Sequence, residues 1–127
     1  MFEPPKVDLR SVPVQLLSYI GDGIMNLHFR MRFADLMNVS KIENVVRKIV
    51  SKEGQATILD AIWKDLKEDE ISVVKRAMNG RFAKRHGNDP AYRKSTGLEA
   101  LVGYLYIKGD FERLEWIFER GERICGG

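Results

Sequence analysis

The chain has 127 residues, enough for one domain with a single core spanning 1–127. Its 44% hydrophobic and 31% charged residues are ordinary for a globular protein, and a net charge of +3 is too small to assign a partner by itself. One cysteine, Cys125, excludes an internal disulfide and a cysteine-built zinc site. Residues 1–6 lack the apolar run of a secretion signal. No stretch reaches the ~18 apolar residues of a membrane span, so the expectation is a cytoplasmic protein with no membrane segment.

Pro4 and Pro5 mark an irregular lead-in. Ser11 is predicted to cap a first helix, with Pro13 in its first turn. Leu16, Ile20, Ile24, Leu27 and Met31 then recur at helical spacing as one apolar stripe, which fades near 36–39. Ser40 to Glu43 reads as a capping box opening a second helix through Ile42, Val45, Val46 and Ile49. Gly54 bends or interrupts it before a stretch carrying Ile58, Ala61, Ile62 and Leu66. Asp69 is expected to cap a third helix through Ile71, Val73, Val74 and Met78. Gly80 weakens that helix, and 86–90 reads as loop. A further helix is predicted from about Tyr92 to Ile107, stopped by Gly109. Asp110 caps the last one, with Phe111, Leu114, Ile117, Phe118 and Ile124. Strand alternation is absent, so the predicted fold is all-α.

Two carboxylates stand out. Asp22 is the only acid between Asp8 and Asp35, and it sits mid-helix between Gly21 and Gly23. Aspartate and glycine are poor helix formers, so helix stability does not account for this triplet. Glu99 is the only charge in the run from Gly97 to Ile107. Each acid has a plain structural reading: Asp22 facing water, and Glu99 closing a capping box with Thr96. If the two meet in space, they form a site for a hard cation such as magnesium, which activates water at a phosphodiester. Residues 75–94 supply a matching electrostatic feature, seven basic side chains against one acid, Asp89. That is the footprint of an anionic partner.

The same residues resemble the ribonuclease III family, and more closely its short bacterial branch, the mini-ribonucleases III. The stretch Leu17-Ser18-Tyr19-Ile20-Gly21-Asp22-Gly23 is similar to the first half of the family signature. Residues 92–106 are similar to its second acidic helix, and 50–56 and 75–79 to two segments between them, in the same order across nearly the whole chain. The resemblance implies a helical, dimeric ribonuclease III-like endonuclease domain without a double-stranded RNA-binding domain. It implies cleavage of double-stranded RNA, with ribosomal RNA precursors as substrate. Asp22 and Glu99 would be the catalytic and metal-binding residues, with Mg2+ as cofactor and Mn2+ as a substitute. The full-length family carries acids where this chain has Ser18 and Thr96; the mini branch also lacks them, which favours that branch. Mini forms usually show an acid at Asn26, and Arg-Gly-Arg-Asn where this chain has Arg76-Ala77-Met78-Asn79.

An RNA duplex is held through phosphates and 2′-hydroxyls across its wide minor groove. The expected contacts are Lys75, Arg76, Asn79, Arg81, Lys84, Arg85, Arg93 and Lys94, with the loop around Gly87 and Asn88 entering a groove. His28 and His86 lack a visible base partner and are not assigned to catalysis. Trp63, Tyr104, Tyr106 and Trp116 are expected in the core or a dimer interface. The competing function is a non-catalytic RNA-binding module with the same fold.

Overall fold

The computed structural model describes residues 2–84 and 87–126, and among these there is no strand. Arg85 and His86, both singled out above, lie outside the described residues. Among the described residues seven helices follow in chain order: α1 (Val14–Arg32), α2 (Val39–Val50), α3 (Lys52–Ile62), α4 (Glu68–Met78), the single turn α5 (Arg81–Lys84), α6 (Pro90–Lys108) and α7 (Phe111–Cys125). Among the described residues, one short 3-10 turn precedes α1, one joins α1 to α2 and one joins α3 to α4. No described helix is long and apolar enough to cross a membrane.

The helix ends follow local chemistry, and several differ from the expected ones. Pro13 is itself the cap of α1, and Ser11 sits in a preceding 3-10 turn capped by Asp8. Asn38, not Ser40, caps α2, its side chain accepting from the Lys41 amide at 3.0 Å. The break after α2 falls at Ser51, whose hydroxyl accepts from the Gly54 amide at 3.1 Å. Gly54 lies within α3, where the end of α2 crosses too closely for a side chain. Lys67 precedes α4, and the Glu70 carboxylate reaches back to its amide at 2.8 Å; Asp69 is inside the helix. Asp89 caps α6 with Pro90 at the first position, and Gly109 ends it at φ +84°. Asp110 caps α7 as predicted.

α6 is the central element. Leu98, Leu101, Val102 and Leu105 are fully buried, and α1, α3, α4 and α7 all pack on it. A helix apolar on most of its circumference is one surrounded by other helices. The main core joins these residues to Met25, Phe29, Val46, Ile49, Ile58, Ile62, Ile117 and Phe118. A smaller cluster of Val12, Leu17, Val73, Ala77 and Ala100 closes the other end. At the rim Arg113 grips the buried Glu70 carboxylate through two bonds of 2.9 Å and stacks on Trp116, tying α7 to α4. Tyr106 is core, its hydroxyl donating to the Phe2 carbonyl.

α1 corrects the sequence reading. Its inward face is Leu17, Gly21, Met25 and Phe29, one residue per turn. The predicted stripe points the other way: Leu16, Leu27 and Met31 are 43%, 41% and 60% exposed, and Ile20 and Ile24 only partly covered. The reason is the crossing of α1 on α6. A Cβ on Gly21 would fall far inside van der Waals contact with the Glu99 carbonyl, and one on Gly103 inside contact with the Leu17 carbonyl. Only the face carrying Gly21 can approach α6 this closely. The outward stripe borders a groove of about 1010 Å³, shared with Phe2, Tyr106, Phe111 and Phe118.

Candidate active site

The close crossing of α1 and α6 creates the site. Because Gly21 lies against the Glu99 backbone, Asp22, the next residue, is brought beside the Glu99 side chain. The two carboxyl groups come within hydrogen-bonding reach of each other. Both line a cleft of about 730 Å³, bounded by the first turns of α1, the α2–α3 junction, Ala77 and Gly80, and the first half of α6. Asp22 is exposed and Glu99 half-buried. Thr96 and Glu99 lie in the middle of α6, so the capping-box reading of Glu99 is excluded.

Three neighbours define the surroundings of the acid pair. Gln55 on α3 is 2% exposed, and its amide nitrogen donates to the Val50 carbonyl at 2.8 Å and to Glu99 Oε2 at 3.2 Å. Its own oxygen is buried without a hydrogen-bond partner. Asn26 donates to the Asp22 carbonyl at 2.9 Å and to Asp22 Oδ1 at 3.2 Å, one turn further along α1. Ser18 donates to the Thr96 carbonyl at 3.1 Å, so the two positions at which the full-length family carries acids meet here as a neutral hydrogen bond. Lys52 stands at the mouth, its Nζ 2.6 Å from Asp89 Oδ2.

Burial, and then the adjacent Asp22, push the Glu99 carboxyl up to about 8, partly opposed by the Gln55 bond. Among the described residues neither acid is ion-paired with a basic side chain, and no third potential metal ligand of the His, Cys, Asp or Glu type joins them. Two adjacent carboxylates need a proton or a cation between them. Their oxygens fit a hard divalent ion held by one or two carboxylates with water filling its remaining positions. The pH consequence has a definite sign. Glu99 holds its proton more tightly folded than unfolded, so stability is full below the ordinary carboxylate range and falls as pH rises toward about 8. Melting temperatures in chelator are expected to drop across that window. Added Mg2+ should restore them most at the alkaline end, and a flat profile would contradict this.

The expected RNA contacts divide. Lys75, Arg76, Asn79, Arg81 and Lys84 are exposed along the end of α4 and α5, next to the Ala77 and Gly80 edge of the cleft. Arg93 bonds the Met78 carbonyl and the Asn79 side chain, each at 2.9 Å, and Lys94 pairs with Asp60 at 2.9 Å. These two tie α6 to α4 and α3. His28 is stacked on Phe118 between α1 and α7. Gln55 and Lys52 were not anticipated. Gln55 shares a face with Ile58, Leu59 and Ile62, and a polar residue in a core register is the signal that marks it.

Residues 15–110 match the model of the ribonuclease III domain. The chain is 37% identical to the mini-ribonuclease 3 of Kosmotoga olearia, over 86% of this chain and 77% of that protein. It is 38% identical to that of Symbiobacterium thermophilum, over 86% and 87%. It is 34% identical to that of a Thermoanaerobacter species, over 94% and 87%.

Proposed function

The chain belongs to the ribonuclease III family, in its mini-ribonuclease III branch, and on that premise we propose that it is a divalent-metal-dependent endoribonuclease cutting double-stranded RNA. The observation that carries the reading is the contact between Asp22 and Glu99, distant in sequence, inside a cleft flanked by the basic end of α4. Asp22 and Glu99 would hold the ion, Mg2+ or Mn2+. When bound, it supplies an activated water and offsets charge on the phosphodiester.

The protein's own residues do the rest. Gln55 fixes the Glu99 carboxylate from the side facing the core, and Asn26 fixes Asp22 along α1, so both acids are pre-ordered. The exposed cations Lys75, Arg76, Arg81 and Lys84, with Arg85, would track the phosphates of the duplex, and Asn79 a 2′-hydroxyl. Arg93 and Lys94 serve first as ties between helices. The physiological substrate we assign is a structured ribosomal RNA precursor in the cytoplasm.

We also assign a homodimer. The outward side of α1 leaves Tyr19 78%, Leu16 43%, Leu27 41% and Met31 60% exposed, an apolar surface of the kind that marks a protein–protein contact. A second copy covering it is the economical explanation. Leu27→Asp changes a side chain that one subunit leaves exposed, so it should keep its helical spectrum yet sediment as a monomer. A native protein that sediments as a monomer at micromolar concentration would overturn the dimer.

The function is tested with an end-labelled RNA duplex and its separated strands in Mg2+, Mn2+ and chelator. The expected result is cutting of the duplex alone, and only with metal. Binding without cutting in either metal would make the protein a non-catalytic RNA-binding module instead.

A further inference from the structure

Of the side chains lining the cleft around Asp22 and Glu99, Lys52 is the only cation among the described residues. It comes from the first position of α3, outside the basic segment 75–94. Its Nζ lies 2.6 Å from Asp89 Oδ2 and 4.0 Å from Glu53 Oε1. Asp89 divides its two oxygens between two tasks. Oδ1 accepts from the Ala91 amide at 3.0 Å and caps α6, while Oδ2 holds Lys52. Nearly half of the Lys52 side chain remains open to solvent.

From these observations, and resting on the proposed nuclease reading, we propose that Lys52 is the phosphate contact inside the catalytic cleft, parked on Asp89 until RNA enters and transferred from that carboxylate to a phosphate oxygen. A phosphodiester approaching two carboxylates meets repulsion that the exposed cations on α4 and α5 do not offset from within the cleft. Lys52 is placed to do so. The pair is exposed and correspondingly weak, so a phosphate can displace it. The exchange is of one anionic oxygen for another and requires no proton transfer.

The two partners separate cleanly by mutation. Lys52→Met keeps the aliphatic stem and removes the charge. Asp89→Asn keeps an oxygen for the α6 cap, since asparagine caps as well as aspartate, but gives up the charge that holds Lys52. Duplex binding is measured in chelator, where no cutting occurs, as a function of salt. Lys52→Met should weaken binding for all duplex sequences and flatten the slope of log K against log salt by about one unit, the loss of one phosphate contact. Lys52→Arg should recover the slope. Asp89→Asn should tighten binding, and that gain should shrink in the Lys52→Met background, the non-additivity that a double-mutant cycle reads for a pair acting together. An unchanged slope in Lys52→Met, or an Asp89→Asn gain as large without Lys52 as with it, overturns the inference. The native protein is assayed alongside for cleavage. If it binds and cuts while Lys52→Met matches its slope, only the role of Lys52 fails; if it never cuts, the nuclease reading fails and the slope still decides what Lys52 touches.

Discussion

Gly103→Ala should cost about 3 kcal/mol of stability and lower cleavage by about a hundredfold even at temperatures where the protein remains folded. The glycine lies where α6 meets the Leu17 carbonyl of α1, and the added methyl would overlap backbone rather than a side chain that can rotate away. The two helices must separate, by a distance on the order of 1 Å. The first effect is thermodynamic. Loss of about 3 kcal/mol from the ~5–15 kcal/mol that holds a domain together lowers the melting temperature by roughly 10 °C. The second is functional, because Asp22 and Glu99 sit on opposite sides of the same crossing and move apart with it. Gly21→Ala should act similarly, through the Glu99 carbonyl. Gly23 is the control: a Cβ there meets nothing within 4 Å in one subunit, so Gly23→Ala should stabilise the subunit by up to ~1 kcal/mol through helix propensity. A thermal melt and a single-turnover cleavage assay read both effects. If Gly103→Ala melts with the native protein, helix contact at that residue does not set the site. If Gly23→Ala destabilises instead, its neighbour comes from another chain, which bears on the dimer.

Much of this arrangement is legible before any coordinates. Asp110 and Gly109 mark helix ends because capping is local chemistry, satisfied within a few residues. Asp22 and Glu99 are conspicuous because each is an acid where helix stability and burial argue against one. What periodicity cannot decide is which of two apolar faces a helix turns inward. On α1 Leu17, Met25 and Phe29 compete with Leu16, Ile20, Ile24, Leu27 and Met31, and the longer stripe is the one left outside. The choice is made by Gly21 against α6, a contact between residues far apart in the chain. The ion pairs of Lys52 with Asp89 and Lys94 with Asp60 were hidden for the same reason, since charge on a helix face carries no sign of its partner. Asn38 and Ser40 are both good caps two residues apart, and only the backbone shows where α2 begins.

Asp22→Asn and Glu99→Gln should each reduce duplex cleavage at saturating Mg2+ by about a thousandfold or more while leaving duplex binding intact. The estimate follows from the several kcal/mol of transition-state stabilisation that a metal centre supplies, at 1.36 kcal/mol for each factor of ten. Binding should hold or improve, since each change removes a negative charge from a surface that must accept phosphates. The two variants should differ in stability, and this difference makes the test specific. Asp22 is exposed, so Asp22→Asn should leave the melting temperature nearly unchanged at acid pH, where Glu99 holds its proton. Glu99 is half-buried, beside Asp22, and its charge is the one that burial disfavours. Glu99→Gln should therefore melt higher than the native protein in chelator at pH 8, and the fall in stability between acid and alkaline pH should shrink with it. Mg2+ should then stabilise the native protein and not this variant. The site would thus be one where an acid is retained at a cost to the fold because the bound ion repays it. Either variant cutting within tenfold of the native rate would remove the acid pair from the chemistry. A Glu99→Gln protein that melts lower than native at alkaline pH would mean that the carboxylate is already compensated by a partner other than a metal ion.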